Sequence, residues 1–268
     1  MDITVDRITK SYSSGASVKL ALQETSFTIA QNEFVSIVGP SGCGKSTLLM
    51  MMAGLLPSTS GEVRLDDRAV SGPAYGVGVV FQDYGRSLFP WMTVRSNLAM
   101  AAVAQKLPKA VLEERIGRAL ENVGLAGHAK SYPWQMSGGM QQRVAIARAV
   151  VAEPRVLLMD EPFAAVDAQT RADLEDLVLR IRDEYGVTVA LVTHDIDESV
   201  YLADRVLVLA ANPGRVIRDI PVTLPVPREQ VATKRLPEFA ELRSTVFELV
   251  MRPGVRARAA EPVEAADV

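Results

Sequence analysis

Several things are scarce in this chain. Its 268 residues include one cysteine, Cys43, so no intrachain disulfide can form and a reducing compartment fits. It has two histidines, His128 and His194, and neither stands at metal-ligand spacing from another histidine or cysteine. No apolar run approaches the ~18 residues needed to span a bilayer. The richest, Val144 to Ala152, is broken by Arg148, so any membrane role is expected to pass through partner proteins. Charge of either sign is nearly balanced, at −3 overall. General nucleic-acid binding usually leaves a basic excess, so no nucleic-acid partner is expected. The start, Met1-Asp2-Ile3-Thr4-Val5-Asp6, has no basic stretch followed by an apolar one, and no signal peptide is expected.

What is present is an ordinary globular composition. Apolar residues make up 48% and charged residues 23%, enough to bury a core in one large domain or two small ones. No repeat appears at solenoid periods. Ile3, Val5 and Ile8 open an N-terminal strand, and Ser26 to Ile29 reads as a second. Phe34 to Val38, Val77 to Phe81, Val156 to Met159 and Thr188 to Val192 are short apolar runs of the kind that form buried strands. A helix from Lys45 to about Leu55 and another after Asp167, stopped by Gly186, lie between them. Strands alternating with helices predict a mostly parallel sheet covered on both faces. Residues 85–150 carry helical patterns, clearest over 94–104 and 109–123, and no convincing strand. Val206 to Leu209 and Arg215 to Ile220 predict a closing hairpin about Asn212-Pro213-Gly214. The prolines at 225 and 227 suggest an extended connection, and residues 259–268 a frayed tail.

Gly39-Pro40-Ser41-Gly42-Cys43-Gly44-Lys45-Ser46 matches G-x-x-x-x-G-K-[ST]. It follows a predicted strand and opens a predicted helix, the context this loop requires. Glycines let successive N–H groups approach phosphate oxygens, and the helix start adds unpaired donors and partial positive charge. Lys45 is placed for the β- and γ-phosphates and the Ser46 hydroxyl for Mg²⁺; Thr47 adds another donor group. Cys43 lies inside the loop. A helix N-terminus lowers a thiol pKa, which would make it reactive; a small loop filler without redox role is the preferred reading.

Val156-Leu157-Leu158-Met159-Asp160-Glu161 is an apolar strand ending in two acids. Alone, such an end is more often a solvated turn. Beside a phosphate loop it suits Asp160 to the metal and Glu161 to polarising the attacking water. His194 follows the Thr188–Val192 strand, at the edge where α/β sheets bind ligands. It is placed to touch a γ-phosphate or hold the water; a surface or capping histidine is the alternative. His128 has no such context.

Ser137-Gly138-Gly139-Met140-Gln141-Gln142-Arg143, ahead of a helix, resembles the LSGGQ-type motif of ABC ATPases. The other pieces then fall in that family's order. Tyr12 resembles its adenine-stacking aromatic, and Gln82 its Q-loop glutamine, a metal and water contact. Ala164-Ala165-Val166-Asp167 resembles its D-loop, and His194 its switch histidine. The resemblance covers residues 1–220. It implies a P-loop NTPase core with an N-terminal antiparallel β subdomain and a helical subdomain inserted at about 85–150, followed by a C-terminal extension over 221–258. It also implies Mg-ATP as cofactor and a head-to-tail pair in which the phosphate loop of one copy and the Ser-Gly-Gly of the other clasp each ATP. Physically, Ser137 is a good N-cap and two glycines expose helix N–H groups to phosphate. Met140 stands where the family usually has Gln, and Met136 where it usually has Leu. Ser-x-x-Gln is a capping box that Met140 cannot complete, so a looser helix start is expected, with ATP affinity of the isolated subunit little changed.

The segment after Gln82, Asp83 to Trp91, is where this family receives its two membrane permease subunits, with Tyr84 to Trp91 the expected contact. Phe89-Pro90-Trp91 is plausible interface material; core packing of Trp91 is an equal alternative. Leu88 to Val94 with Asn97, and Ala211 to Ile217, are similar to importers of nitrate, sulfonate and taurine. The resemblance therefore implies a peripheral subunit on the cytoplasmic face of the inner membrane, fed indirectly by a solute-binding protein. A soluble ABC ATPase of DNA repair or translation is the alternative; it predicts a long coiled-coil insertion or tandem cassettes, and neither is visible.

Overall fold

A computed structural model describes residues 1–14 and 17–251. The strands are β1 (Ile3–Ser14), β2 (Ser17–Ile29), β3 (Phe34–Val38), β4 (Ser60–Leu65), β5 (Arg68–Ala69), β6 (Val77–Val80), β7 (Val156–Asp160), β8 (Thr188–Val192), β9 (Arg205–Ala210) and β10 (Arg215–Pro221). The α-helices are α1 (Lys45–Met52), α2 (Tyr84–Ser87), α3 (Val94–Ala101), α4 (Lys109–Asn122), α5 (Gly138–Val150), α6 (Ala168–Tyr185), α7 (Ile196–Leu202), α8 (Gln230–Lys234) and α9 (Pro237–Met251).

The central sheet has the order β10-β9-β3-β8-β7-β6. Its strands are parallel except for β10, which pairs antiparallel with β9. Every residue of β3, β7 and β8 is buried, as expected of strands covered on both faces. Side chains alternate between two cores. Val35, Ile37, Leu158, Val192 and Leu207 join α1 and the N-terminal sheet on one side. Phe34, Met159, Leu191 and Val208 join α5, α6, α7 and α9 on the other. The N-terminal sheet is antiparallel, in the order β2-β1-β4-β5. The fold is therefore the expected P-loop core with antiparallel and helical additions.

Between α1 and β7 the helical region hangs on one buried side chain. Asn97 is fully buried on α3; its Nδ2 donates to the carbonyls of Phe89, Met92 and Thr93 at 3.1, 3.2 and 3.1 Å, and its Oδ1 accepts from the Phe89 N–H at 2.8 Å. Those bonds fix the Phe89–Thr93 loop and present Trp91, 70% exposed and in ring contact with Phe89. Trp91 is thus surface rather than core.

Two expectations are corrected. The second strand begins at Ser17 rather than Ser26, paired along its length with β1. The helix after the phosphate loop ends at Met52, where Gly54 turns the chain at φ +70. The connection about Pro225 and Pro227 carries no helix, as expected, and the C-terminal extension is helical beyond Glu229. Pro237 starts α9, a position that spares its missing N–H, and Phe239, Val246 and Leu249 enter the main core. The expected frayed tail, 259–268, lies outside the described residues.

Candidate active site

The loop between β3 and α1 is shaped by close approach. A Cβ on Gly39 would sit 2.5 Å from the Leu209 carbonyl oxygen, and Gly44 takes φ +94 as the N-cap of α1. With no side chain capping α1, its first-turn N–H groups face the loop's interior, a ready anion cradle. Lys45 is buried and lies across the loop, donating to the Gly39 and Pro40 carbonyls at 2.8 and 3.2 Å. Cys43 is fully buried beneath it, and burial raises its pKa despite the opposing Lys45 charge. The lowered thiol pKa of the reactive reading is thus overturned, and the loop-filler reading stands.

An open cavity of about 370 Å³ rises from this loop. Tyr12, Lys19 and Leu20 wall one end, Ser41, Gly42, Gly44, Lys45, Ser46 and Thr47 the floor, and Glu161 the other end. Asn212 and Pro213, in the β9–β10 turn, complete it. Sequence reasoning saw that turn but not its place at the cavity; only the pairing of Gly214 with Ala21 and Gln23, at 3.0 and 2.7 Å, brings it there.

The two acids diverge. Asp160 Oδ1 accepts from the Ser46 hydroxyl at 3.0 Å, and burial raises the Asp160 pKa, with Ser46 opposing and Glu161 adding. Glu161 has φ +44, a left-handed backbone unusual for a side-chain-bearing residue. That turn aims its carboxylate away from Asp160. Glu161 Oε2 accepts from Gln82 Nε2 at 3.1 Å and lies 3.1 Å from His194 Nδ1. Gln82, Asp160, Glu161, His194 and Ser46 thus converge from three strand ends and one helix start.

The Ser137 segment and Asp167 lie elsewhere: none of Ser137, Gly138, Gly139, Met140 or Asp167 walls that cavity. Ser137 caps α5, its side chain accepting from the Met140 N–H at 3.3 Å. Gln141, one residue on, donates from Nε2 to the Met136 carbonyl at 3.1 Å, so the helix start is tied despite Met140. A Cβ on Gly139 would meet Thr170 Cγ2 at 2.6 Å. Asp167 caps α6, accepting from the Thr170 N–H at 3.0 Å and the Thr170 hydroxyl at 2.8 Å, which hold its carboxyl below the usual range.

The donor set suits Mg²⁺. The Ser46 hydroxyl, an Asp160 oxygen and the Gln82 amide oxygen are hard ligands, and no larger cluster of metal-ligating side chains occurs among the described residues. Few protein ligands with phosphates and water supplying the rest is the usual Mg²⁺ arrangement.

The family described as ABC transporter matches residues 22–164. The aliphatic sulfonates import ATP-binding protein SsuB of Bacillus licheniformis is 44% identical over 92% of this chain and 93% of its own. The bicarbonate transport ATP-binding protein CmpC of Synechococcus elongatus is also 44% identical, over 91% of this chain but 37% of its own. Among solved structures, a dimeric post-hydrolysis ATP-binding cassette bound to ADP and phosphate superposes with a TM-score of 0.73 at 32% identity, covering 82% of this chain and 98% of that one. Among the described residues no helix is long and apolar enough to cross a membrane. With its glycine loop, its strand-end carboxylates and these relatives, the chain belongs to the ABC transporter family, as an ATP-binding and ATP-hydrolysing subunit.

Proposed function

We propose that this chain powers a solute importer as one of a pair of ATPase subunits, each ATP being bound on the phosphate loop of one copy and closed by Ser137, Gly138, Gly139 and Met140 of the other. The observation that carries this reading is the Glu161 carboxylate held between Gln82 and His194 beside the loop. In it, Tyr12 stacks on the adenine, and Gly39 to Thr47 hold the phosphates through N–H groups. Lys45 places its charge on the β- and γ-phosphates. Ser46, Asp160 and Gln82 hold Mg²⁺, which when bound neutralises phosphate charge. Glu161 orients the attacking water, and His194 fixes Glu161 and reaches the γ-phosphate. Asp167 faces the partner copy.

The exposed Phe89–Trp91 loop is the proposed contact with two membrane permeases, which place the subunit on the cytoplasmic face of the inner membrane. A binding protein would deliver the solute. A small oxyanion-bearing solute of the sulfonate, nitrate or taurine kind is favoured by the sulfonate relative, though the equally similar bicarbonate relative widens the class to small anions.

The test is Glu161→Gln. Turnover should fall at least about 100-fold while ATP binding persists, and gel filtration with ATP should show a stable dimer. Normal hydrolysis by this variant would remove Glu161 from the role.

A further inference from the structure

Helix α7 starts two residues after His194 and carries a buried acid that the reading above does not use. Glu198 is 4% exposed. Its Oε2 accepts from the Thr193 hydroxyl at 2.6 Å, and that hydroxyl in turn accepts from the Asp195 N–H at 3.0 Å. Glu198 thus holds, through the Thr193 hydroxyl, the two residues that flank His194. Arg171, one turn into α6 from the Asp167 cap, closes the arrangement. Its Nη1 donates to Asp195 Oδ2 at 3.2 Å and its Nε lies 3.6 Å from Glu198 Oε1. A small cavity of about 30 Å³ joins Glu198, Arg171 and Thr193 to Glu161 and His194, room enough for a single water.

We propose that Glu198 is a positioning residue for ATP hydrolysis, which in its ionised form draws Arg171 across from α6 and locks the Thr193–Asp195 loop so that His194 stays on Glu161. This rests on the roles proposed above for Glu161 and His194.

The geometry makes the device sensitive to protonation. Ionised Glu198 accepts from Thr193 and pairs with Arg171 at once. Protonated Glu198 loses its attraction for Arg171, which then serves Asp195 alone. The charged and titratable groups facing Glu198 are Asp195 on its own helix, Arg171 and Glu175 on α6, and Glu161 and His194 across the cavity. From the C-terminal extension, Lys234 of α8 reaches Glu175 at 3.2 Å, and so acts on Glu198 only at second hand. Burial, with Asp195 and Glu175 adding and Thr193 and Arg171 opposing, pushes the Glu198 carboxyl up to about 7. Its charge therefore changes around neutral pH.

The experiment compares steady-state ATP hydrolysis of wild type, Glu198→Gln and His194→Ala at pH 6 and pH 8. Glutamine keeps size and a hydrogen bond from Thr193 but never ionises. At pH 6 the Glu198→Gln rate should match wild type; at pH 8 its kcat should be lower by roughly fivefold, with KM for ATP within about twofold. A ratio of variant to wild-type kcat that is equal at the two pH values overturns the proposal. Thr193→Val, which keeps Glu198 but loses the grip on the loop, should lower kcat at both pH values. Unchanged turnover in Thr193→Val also overturns it. If His194→Ala loses turnover while Glu198→Gln shows no pH-dependent ratio, only the present proposal fails. If His194→Ala turns over normally, the site reading fails and this proposal with it.

Discussion

Replacing Glu198 by glutamine should also change how stability depends on pH, and the size of the change follows from the buried carboxyl. In the unfolded chain it ionises near 4.5; in the fold it ionises near about 7, chiefly because burial disfavours the charge. Between those values the folded protein holds one proton more than the unfolded chain, so its stability falls as pH rises. The contribution is fully present below pH 4.5 and gone above about pH 7. At about 1.4 kcal/mol per pH decade the full loss is about 3 kcal/mol, most of which falls between pH 5 and pH 8.5. Glutamine has no such titration, and groups not in contact with Glu198 cancel in the difference between variant and wild type. Urea unfolding of both proteins without nucleotide at pH 5 and pH 8.5 should therefore show Glu198→Gln gaining roughly 2 to 3 kcal/mol on wild type over that range. A difference that does not move with pH would refute the reasoning. The variant that gains on wild type in stability towards pH 8 is also the one expected to hydrolyse more slowly there.

Other outcomes are expected. Arg228 is buried, and its Nη1 donates to the carbonyls of Tyr201 and Ala203, at 2.6 and 2.7 Å, where α7 ends. Arg228→Ala should cost about 2 to 4 kcal/mol in urea unfolding, because those carbonyls lose their partner inside the protein. Gly139→Ala should lower hydrolysis about tenfold or more by pushing α5 off Thr170, with nucleotide binding by the monomer unchanged. Adding Thr170→Ser, which removes the opposing methyl and keeps the hydroxyl bonded to Asp167, should restore most of the rate. Native Cys43 should resist iodoacetamide at pH 7.5 and react fully in denaturant, read by mass spectrometry; fast native labelling would contradict its raised pKa.

Much of the site was legible because its chemistry is local. The phosphate loop is eight consecutive residues between a buried strand and a helix, and Asp160 and Glu161 end another such strand. What could not be read depends on distant contacts. Prolines 225 and 227 mark a connection without helix, but nothing local marks α8 and α9, which are held where Gln230 and Lys234 meet Glu175 of α6 and Phe239 enters the core. Val18, Leu20 and Leu22 stand at alternate positions, a strand signal that a start at Ser26 leaves out and that pairing with β1 bears out. The reading of Cys43 from the helix start omitted the larger effect, desolvation. Glu198 gave no signal in sequence, since an acid in the first turn of a helix is ordinary; only the fold shows it buried against Arg171. Met140 raised an expectation of a loose helix start that its neighbour Gln141 answers by bonding back to Met136.

The Asn97 knot has a consequence for how such a subunit changes allegiance. Because the loop's shape is dictated by one amide bonded to main-chain atoms, the outward ring at 91 carries no share of that task. It is free to be exchanged. A lineage, or an engineer grafting this motor onto a foreign channel, can rewrite the plug without disturbing the socket that holds it.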